Sequence, residues 1–265
     1  MLDYKKMRES EYVEKQYENI LSLNERQNFH EKYSINKEGF KSWLYKQYEF
    51  TKMCSILELG SGKGDLWKNH ISDIVPEFKL VLSDFSDGMV EYLRNEYDKF
   101  PVDIKKIDIQ DIPYDNDTFD IIIANSMLYH IPNIDKALCE VYRVLKKGGK
   151  FYTATFGENG LTKFIFDTLK ELQLVNENKT NVSFTLQNGY EQLRMHFANV
   201  QCREYYDRME ISESKDLVEY IYSMTSMEGL SESQKTTMID FYEKKKNAAG
   251  IIEIPKEYGM FIGVK

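Results

Sequence analysis

The sequence predicts an α/β protein, an open and mostly parallel β-sheet flanked by helices. Three observations carry that reading. Between residues 54 and 156, short β-rich runs alternate with helical stretches. Four of the five runs are apolar without polar alternation, the pattern of strands covered on both faces. The first run leads into a turn with glycine at three alternate positions, Gly60, Gly62 and Gly64.

Residues 1–50 are charged and aromatic. Tyr12, Gln16, Tyr17, Ile20 and Leu21 fall at helical spacing, and no glycine precedes Gly39. The strand runs follow as Ser55–Leu59, Leu80–Phe85, Val102–Ile109, Phe119–Asn125 and Lys150–Phe156. A helix is expected to begin near Leu66. Another, Ile134–Leu145, places Ala137, Leu138, Val141 and Leu145 on one face. It ends in Lys146-Lys147-Gly148-Gly149, cations and a glycine stop that suit a helix C-terminus. Beyond residue 157, helices are expected over Leu161–Leu174, Leu186–Phe197, Ser214–Ser223 and Ser231–Lys246. Extended runs are expected at Asn199–Tyr206 and Glu257–Lys265.

Composition bounds the function. Of the 265 residues, 42% are apolar and 14% aromatic, enough for a substantial core. The formal charge of −8 weighs against a protein that grips long nucleic acid, because phosphate neutralisation needs a basic excess. The three cysteines are far apart and form no C-x-x-C pair, so neither a metal site nor a disulfide framework is expected. Cys54 reads as a small buried apolar residue. No apolar stretch approaches the ~18–20 residues of a membrane span, and the first residues lack a signal-peptide core, so a cytoplasmic protein is expected.

The sharpest feature is Ile56-Leu57-Glu58-Leu59-Gly60-Ser61-Gly62-Lys63-Gly64-Asp65. Glycines after a buried strand let the backbone turn tightly and approach a ligand with no Cβ in the way. A dinucleotide site wants G-x-G-x-x-G, yet the sixth position is Asp65, whose charge would repel a pyrophosphate. No G-K-[ST] follows, so a phosphate-binding P-loop is excluded. The turn suits a ligand without phosphates. Asp84 ends the second strand run, where an acid can accept both hydroxyls of a ribose. Ser86 and Asp87 are available to cap the next helix, which leaves Asp84 for that role.

These motifs, in this order, resemble those of class I S-adenosylmethionine-dependent methyltransferases. The matching stretches are Glu58-x-Gly60-x-Gly62-x-Gly64, Asp84, Asp108-Ile109-Gln110-Asp111-Ile112-Pro113, Phe119–Ser126 and Arg143–Gly149, covering about residues 54–156. The resemblance implies a Rossmann-like sheet of seven strands with the last antiparallel, and one domain over 1–265. In that division 1–50 is a helical N-terminal cap and 51–156 the cofactor-binding half. Residues 157–265 are a C-terminal half with a helical, substrate-covering lid insertion at about 207–250. It implies S-adenosylmethionine as cofactor and S-adenosylhomocysteine as product. Glu58, Gly60, Ser61, Gly62 and Gly64 would line it, with Asp84 on the ribose and Phe85 and Met89 beside the adenine. Asp108 and Ile109 would meet the adenine edge, and Asn125 and Ser126 the methionine portion. A cofactor carrying a sulfonium and an ammonium against one carboxylate is net positive, which agrees with acids around the turn.

Methyl transfer from a sulfonium needs alignment and exclusion of water, and a general base only where loss of an acceptor proton limits the rate. His130 is the nearest titratable candidate for such a base, although a loop-anchoring role suits it as well. Asn125-Ser126-Met127-Leu128 departs from the N-P-P-Y-like tetrapeptide of enzymes that methylate base amino groups or glutamine amides. Tyr33 and Trp43 could present rings to the sulfonium, but Phe40, Trp43 and Leu44 have core spacing, so Trp43 reads as packing. Tyr220, Tyr222, Met224 and Met227 could line an acceptor pocket or serve as ordinary packing. Glu243-Lys244-Lys245-Lys246 reads as a solvated helix end. The expected acceptor is a small molecule, bound by a monomer or homodimer with no nucleic acid or membrane partner. The alternatives are an RNA or protein methyltransferase, or a non-catalytic S-adenosylmethionine-binding regulator. An NAD-dependent dehydrogenase would need a pyrophosphate at Gly64-Asp65.

Overall fold

The structure, a computed structural model, describes residues 20–74, 77–174, 182–224 and 231–265. Tyr12, Gln16, Tyr17 and Met227 lie outside the described residues. In chain order the elements are α1 (Ile20–Tyr33), α2 (Phe40–Gln47), β1 (Ser55–Leu59), α3 (Ile71–Ile74), β2 (Lys79–Asp84), α4 (Asp87–Glu96), β3 (Asp103–Lys106) and β4 (Phe119–Ile123). They continue with a 3-10 turn (Leu128–His130), α5 (Ile134–Val144), β5 (Leu145–Phe156), α6 (Leu161–Glu171), α7 (Gly189–Leu193), β6 (Asn199–Ile211), α8 (Ser214–Tyr222), α9 (Glu232–Lys245) and β7 (Ile252–Val264).

The seven strands form one sheet in the order β3-β2-β1-β4-β5-β7-β6. β1 pairs in parallel with β2 and β4, β2 with β3, and β4 with β5. β7 runs the other way against β5. Near one end of β5 the Gly148 N–H donates to the Lys265 carbonyl at 2.9 Å, and just past its other end Gly157 N–H donates to the Glu257 carbonyl at 2.8 Å. The seven-stranded expectation with an antiparallel last strand is met.

Several boundaries differ from the sequence expectation. The helix expected to begin near Leu66 begins only at Ile71, as the short α3; residues 61–70 make turns instead, with Trp67 N–H donating to Gly64 O and His70 N–H to Trp67 O. The helix expected over 134–145 ends at Val144, because Leu145 is already extended (φ −75°, ψ 135°) and pairs with Phe119. Gly148 and Gly149 therefore belong to β5. They sit where its register against β4 shifts between Phe119 and Ile121, a bulge that glycine accommodates, with Gly148 at φ +75°. β3 is shorter than its expected run, Val102–Ile109. The helix expected over 186–197 contracts to Gly189–Leu193, while β6 and β7 run longer than their motifs suggested.

The described residues divide into two compact units. The first comprises Phe40–Thr155, Ser183–Tyr205 and Gly259–Lys265. Its strands alternate between two apolar clusters. Leu57, Leu59, Ile122 and Phe151 face one with Ala137, Leu138 and Val141 of α5. Ile56, Leu82, Ile121, Ile123 and Tyr152 face the other with Leu44, Tyr48 and Trp67. Burial on both faces explains the missing polar alternation. Phe40 and Trp43 stack at 5.8 Å and pack on the second cluster, so Trp43 is a packing residue.

The second unit comprises the described residues of Met1–Gly39, Phe156–Val182 and Tyr206–Tyr258. Its apolar cluster joins Phe29 and Tyr33 of α1 to Ile165, Leu169, Leu217, Val218, Ile221, Met238 and Tyr242. Beside it lies a buried polar group. Lys256 Nζ donates to Ser34 Oγ at 2.9 Å, pairs with Asp207 at 3.2 Å and lies over the Tyr258 ring; Ser34 Oγ donates to Asp207. His30 Nε2 meets the Tyr220 hydroxyl at 3.3 Å, while its Nδ1 is buried without a hydrogen-bond partner. Burial, helped by the Lys256 charge, lowers the His30 pKa to about 3.

A histidine held neutral in the fold but free to protonate when unfolded leaves stability unaffected above its ordinary pKa of ~6.5 and lowers it as the pH falls toward 3. At pH 5 the linkage amounts to about 2 kcal/mol. Urea denaturation of the parent and His30→Gln at pH 7.5 and 5.0 should show that extra acid loss in the parent alone. Equal pH dependence in both proteins would contradict the assignment.

Candidate functional site

The glycine turn lies where the sheet order reverses direction, between β1 and β4, at the carboxyl ends of the parallel strands. In open α/β sheets this is the place ligands occupy. Glu58, in register with Leu82 on one side and Ile123 on the other, is buried on β1. Trp67, fully buried, donates its Nε1–H to Glu58 Oε2 at 2.8 Å. This contact accounts for the turns at residues 61–70, which carry the indole to that carboxylate. Burial pushes the Glu58 pKa up to about 7, against the Trp67 and Ser61 hydrogen bonds and with a contribution from the Asp84 charge.

Asp84 ends β2 and is tied to the turn. Its Oδ2 accepts the Gly62 N–H at 2.9 Å and its Oδ1 the Ser86 N–H at 2.9 Å. Burial raises its pKa against these N–H groups. Ser86 caps α4 by accepting the Met89 N–H, so Asp84 has no capping duty. Ser61 fastens the turn to β2, its N–H donating to Ser83 O at 2.8 Å and its Oγ accepting the Ser83 N–H at 3.1 Å. Asp65 is engaged by Lys41 at 2.7 Å and Lys63 at 3.5 Å.

The three glycines differ. All have positive φ, +67°, +55° and +71°. A Cβ on Gly62 would meet nothing within 4 Å, the open space a ligand can take. A Cβ on Gly60 would lie 3.1 Å from Met127 Cγ. On Gly64 it would lie 2.6 Å from the Tyr97 ring, whose hydroxyl donates to the Gly64 carbonyl at 2.6 Å. Gly64 thus packs against α4 and its C-terminal Tyr97.

The remaining expected positions are placed as follows. Phe85 is half-buried, with Lys106 Nζ 5.7 Å above its ring, whereas Met89 is sealed in the core. Asp108 makes a local turn, accepting the Gln110 N–H at 2.9 Å, and Ile109 is buried beside it. Asn125, just past β4, donates from Nδ2 to the Tyr48 hydroxyl at 2.7 Å and accepts the Ala154 N–H at 3.1 Å. Ser126 is exposed at φ +53°. His130 is buried on the 3-10 turn beside the Tyr129 ring.

The first unit therefore brings together Glu58, Gly60, Ser61, Gly62 and Asp84 through direct hydrogen bonds and contacts. Tyr33 belongs to the second unit, where its hydroxyl donates to Asp216 at 2.7 Å. Tyr220 stacks on Phe29 at 4.5 Å, Tyr222 carries Lys235 over its ring, and Met224 packs on the same cluster. Sequence reasoning missed Trp67, Tyr48 and Met127 as partners of the site. Only the odd placement of a tryptophan so soon after the glycines hinted at one of them.

A sheet in this order, with an antiparallel β7, a glycine turn after β1 and an acid ending β2, is the architecture of class I methyltransferases. Residues 57–153 match the family model described as a methyltransferase domain. The chain is 34% identical over 107 residues to the ubiquinone/menaquinone biosynthesis C-methyltransferase UbiE of Hydrogenovibrio crunogenus, covering 39% of this chain and 42% of that one. The chain spans about two fifths of the length of curated relatives matched at this level. Among solved structures, a putative methyltransferase of Bacillus halodurans superposes with TM-score 0.58 at 16% identity, covering 85% of this chain and 98% of that one. A phosphoethanolamine N-methyltransferase of Haemonchus contortus, solved with S-adenosylhomocysteine, gives TM-score 0.52 at 14% identity over 100% of this chain and 60% of that one. These two similarities concern the fold. Among the described residues, no helix is long and apolar enough to cross a membrane.

The glycine geometry makes a graded prediction. Gly62→Ala adds a left-handed alanine in open space and should cost about 1–2 kcal/mol. Gly64→Ala adds the same strain and a clash with Tyr97, for a total of about 3 kcal/mol. Urea midpoints of the two variants measure the difference, and equal losses would refute the packing role of Gly64.

Proposed function

We propose that this chain binds S-adenosylmethionine at the glycine turn and transfers its methyl group to a small molecule. The observation that carries the reading is a pair of carboxylates, the buried Glu58 and the half-buried Asp84, around a turn whose Gly62 leaves open space. The donor set fits the cofactor. Two acids, with the Gly62 and Gly64 N–H groups already taken by Asp84 and Ser61, favour a net-positive ligand with a ribose diol and disfavour a phosphate. When bound, the cofactor supplies a methyl group already activated on a sulfonium.

In this reading the backbone of Gly60, Ser61 and Gly62 lies against the cofactor, and Asp84 accepts from the ribose. Phe85, with a half-open face, serves the adenine side in place of the sealed Met89. Asp108 and Ile109 flank the adenine edge, while Asn125 and Ser126, at the end of β4, approach the reacting end. Gly64 holds the turn in place. The chain's contribution to rate is alignment and exclusion of water, and no step is assigned to His130 or Tyr33. The name of the Hydrogenovibrio relative favours a carbon acceptor on a quinone-type ring, and the departure from N-P-P-Y agrees with an acceptor other than an amide or base amino group.

Calorimetric titration with S-adenosylmethionine, S-adenosylhomocysteine and NAD is the first test. Both sulfur ligands should bind, NAD should not, and Asp84→Ala should weaken binding at least ten-fold. Failure of both sulfur ligands to bind the folded protein would overturn the reading. Turnover is then followed as label transfer from methyl-labelled S-adenosylmethionine to demethylated quinols, with phenol and amine acceptors as contrasts.

Glu58 supplies a second prediction. With its pKa at about 7, it is substantially protonated at pH 6.5, and a cation brought beside it favours the carboxylate. Binding near that pH should release a fraction of a proton, read as a dependence of binding heat on the buffer's ionisation enthalpy. Glu58→Gln should bind without it. A parent protein with no buffer dependence would show that Glu58 does not sense the ligand's charge.

A further inference from the structure

Away from the glycine turn, α5 and the turn after α7 bring together Asp135, Cys139 and His196, all within the first unit. Asp135 and Cys139 are four residues apart and exposed, on the side of α5 away from its buried Ala137, Leu138 and Val141. His196 is held from behind. Its N–H donates to Leu193 O at 3.0 Å, and the adjoining Phe197 is buried with its ring stacked on Phe151 at 5.6 Å. The imidazole, only 12% exposed, is thus fixed in direction before any ligand arrives.

The two ring nitrogens meet chemically different partners. Nε2 lies 2.9 Å from Asp135 Oδ1, and Nδ1 lies 3.8 Å from Cys139 Sγ. With zinc–sulfur bonds of about 2.3 Å, zinc–nitrogen bonds of about 2.0–2.1 Å and a tetrahedral angle, a shared ion separates its sulfur and nitrogen ligands by about 3.6 Å. The observed spacing is within a few tenths of an ångström of that value. The carboxylate on the opposite nitrogen is the partner a metal-bound histidine ordinarily has, fixing its tautomer and raising its basicity.

We propose that Cys139 and His196 form a binding site for a thiophilic divalent cation of the zinc type, with Asp135 orienting His196 through Nε2. The other coordination positions face solvent and take water or an outside ligand. An ion there ties α5 to the segment that ends in Phe197. The chain's net charge of −8 favours cation approach. The sequence expectation of no metal site rested on the lack of paired cysteines. It could not see a site whose two ligands are 57 residues apart.

The test uses the whole 265-residue chain, stripped with a chelator, and zinc and cobalt ions alone as probes. The parent should take up one equivalent of zinc against a chromophoric competitor. With cobalt it should show a thiolate-to-metal charge-transfer band. Cys139→Ser should lose that band and His196→Gln should lose the tight equivalent, both with unchanged circular dichroism. Asp135→Asn should keep the band but bind about ten-fold more weakly, a response that loss of a merely structural contact would not give. Cys202→Ser should behave as the parent. Absence of the band in folded parent protein, or its survival in Cys139→Ser, would overturn the proposal. So would rapid alkylation of Cys139 that zinc does not slow, which would make the trio an activated thiol instead.

Discussion

The arrangement of the first unit depends on a carboxylate placed where a carboxylate is costly. Glu58 stands on a strand buried on both faces, and its acid is removed from water beside a second acid, Asp84. Such a group persists only with hydrogen-bond partners and a reason to be there. The Trp67 indole is the main partner, and bringing it under β1 requires the chain to turn repeatedly after Gly64 rather than enter a helix. The same turns give Gly64 its contact with Tyr97 and so fix the start of the segment to the end of α4. One buried acid thereby organises about ten residues of backbone around the position a ligand would occupy.

Glycine has two distinct uses within that segment. At Gly62 the missing side chain leaves room, and the backbone N–H holds Asp84 in place. At Gly64 the missing side chain is already filled by Tyr97 and Leu93. A pattern of alternate glycines announces left-handed backbone at all three positions but cannot say which of them faces a ligand. That distinction is made by Leu93 and Tyr97, 29 and 33 positions beyond Gly64.

The same limit explains what the sequence made legible. Apolar runs and their spacing located the parallel strands, because burial on both faces leaves a strong local signature. The acid at Asp84 and the cap at Ser86 were legible from adjacent residues. The end of α5 was not, since Lys146-Lys147-Gly148-Gly149 serves a bulge in β5 that exists only because β4 lies alongside. Asp108, expected at an adenine edge, makes a local turn through its hydrogen bonds to Gln110, which depend on the folded loop. Met127 at Gly60 and Tyr48 at Asn125 are tertiary facts with no periodicity to betray them.

Asn125 shows how far those tertiary facts reach. Its side chain donates to Tyr48, which follows α2, and accepts from Ala154 of β5, so one amide spans three segments. Tyr48 is buried edge-on against Tyr152, leaving its hydroxyl little freedom to find another partner. Next to Asn125, Ser126 holds a left-handed conformation that costs of order 1–3 kcal/mol and is retained by its N–H bond to Ala154 O. The strained residue at the end of β4 is therefore braced by an amide whose own orientation is set by an aromatic segment preceding β1. Residues 40–50 look like a separate extension in the sequence, yet the geometry at the carboxyl edge of the sheet is built partly from them.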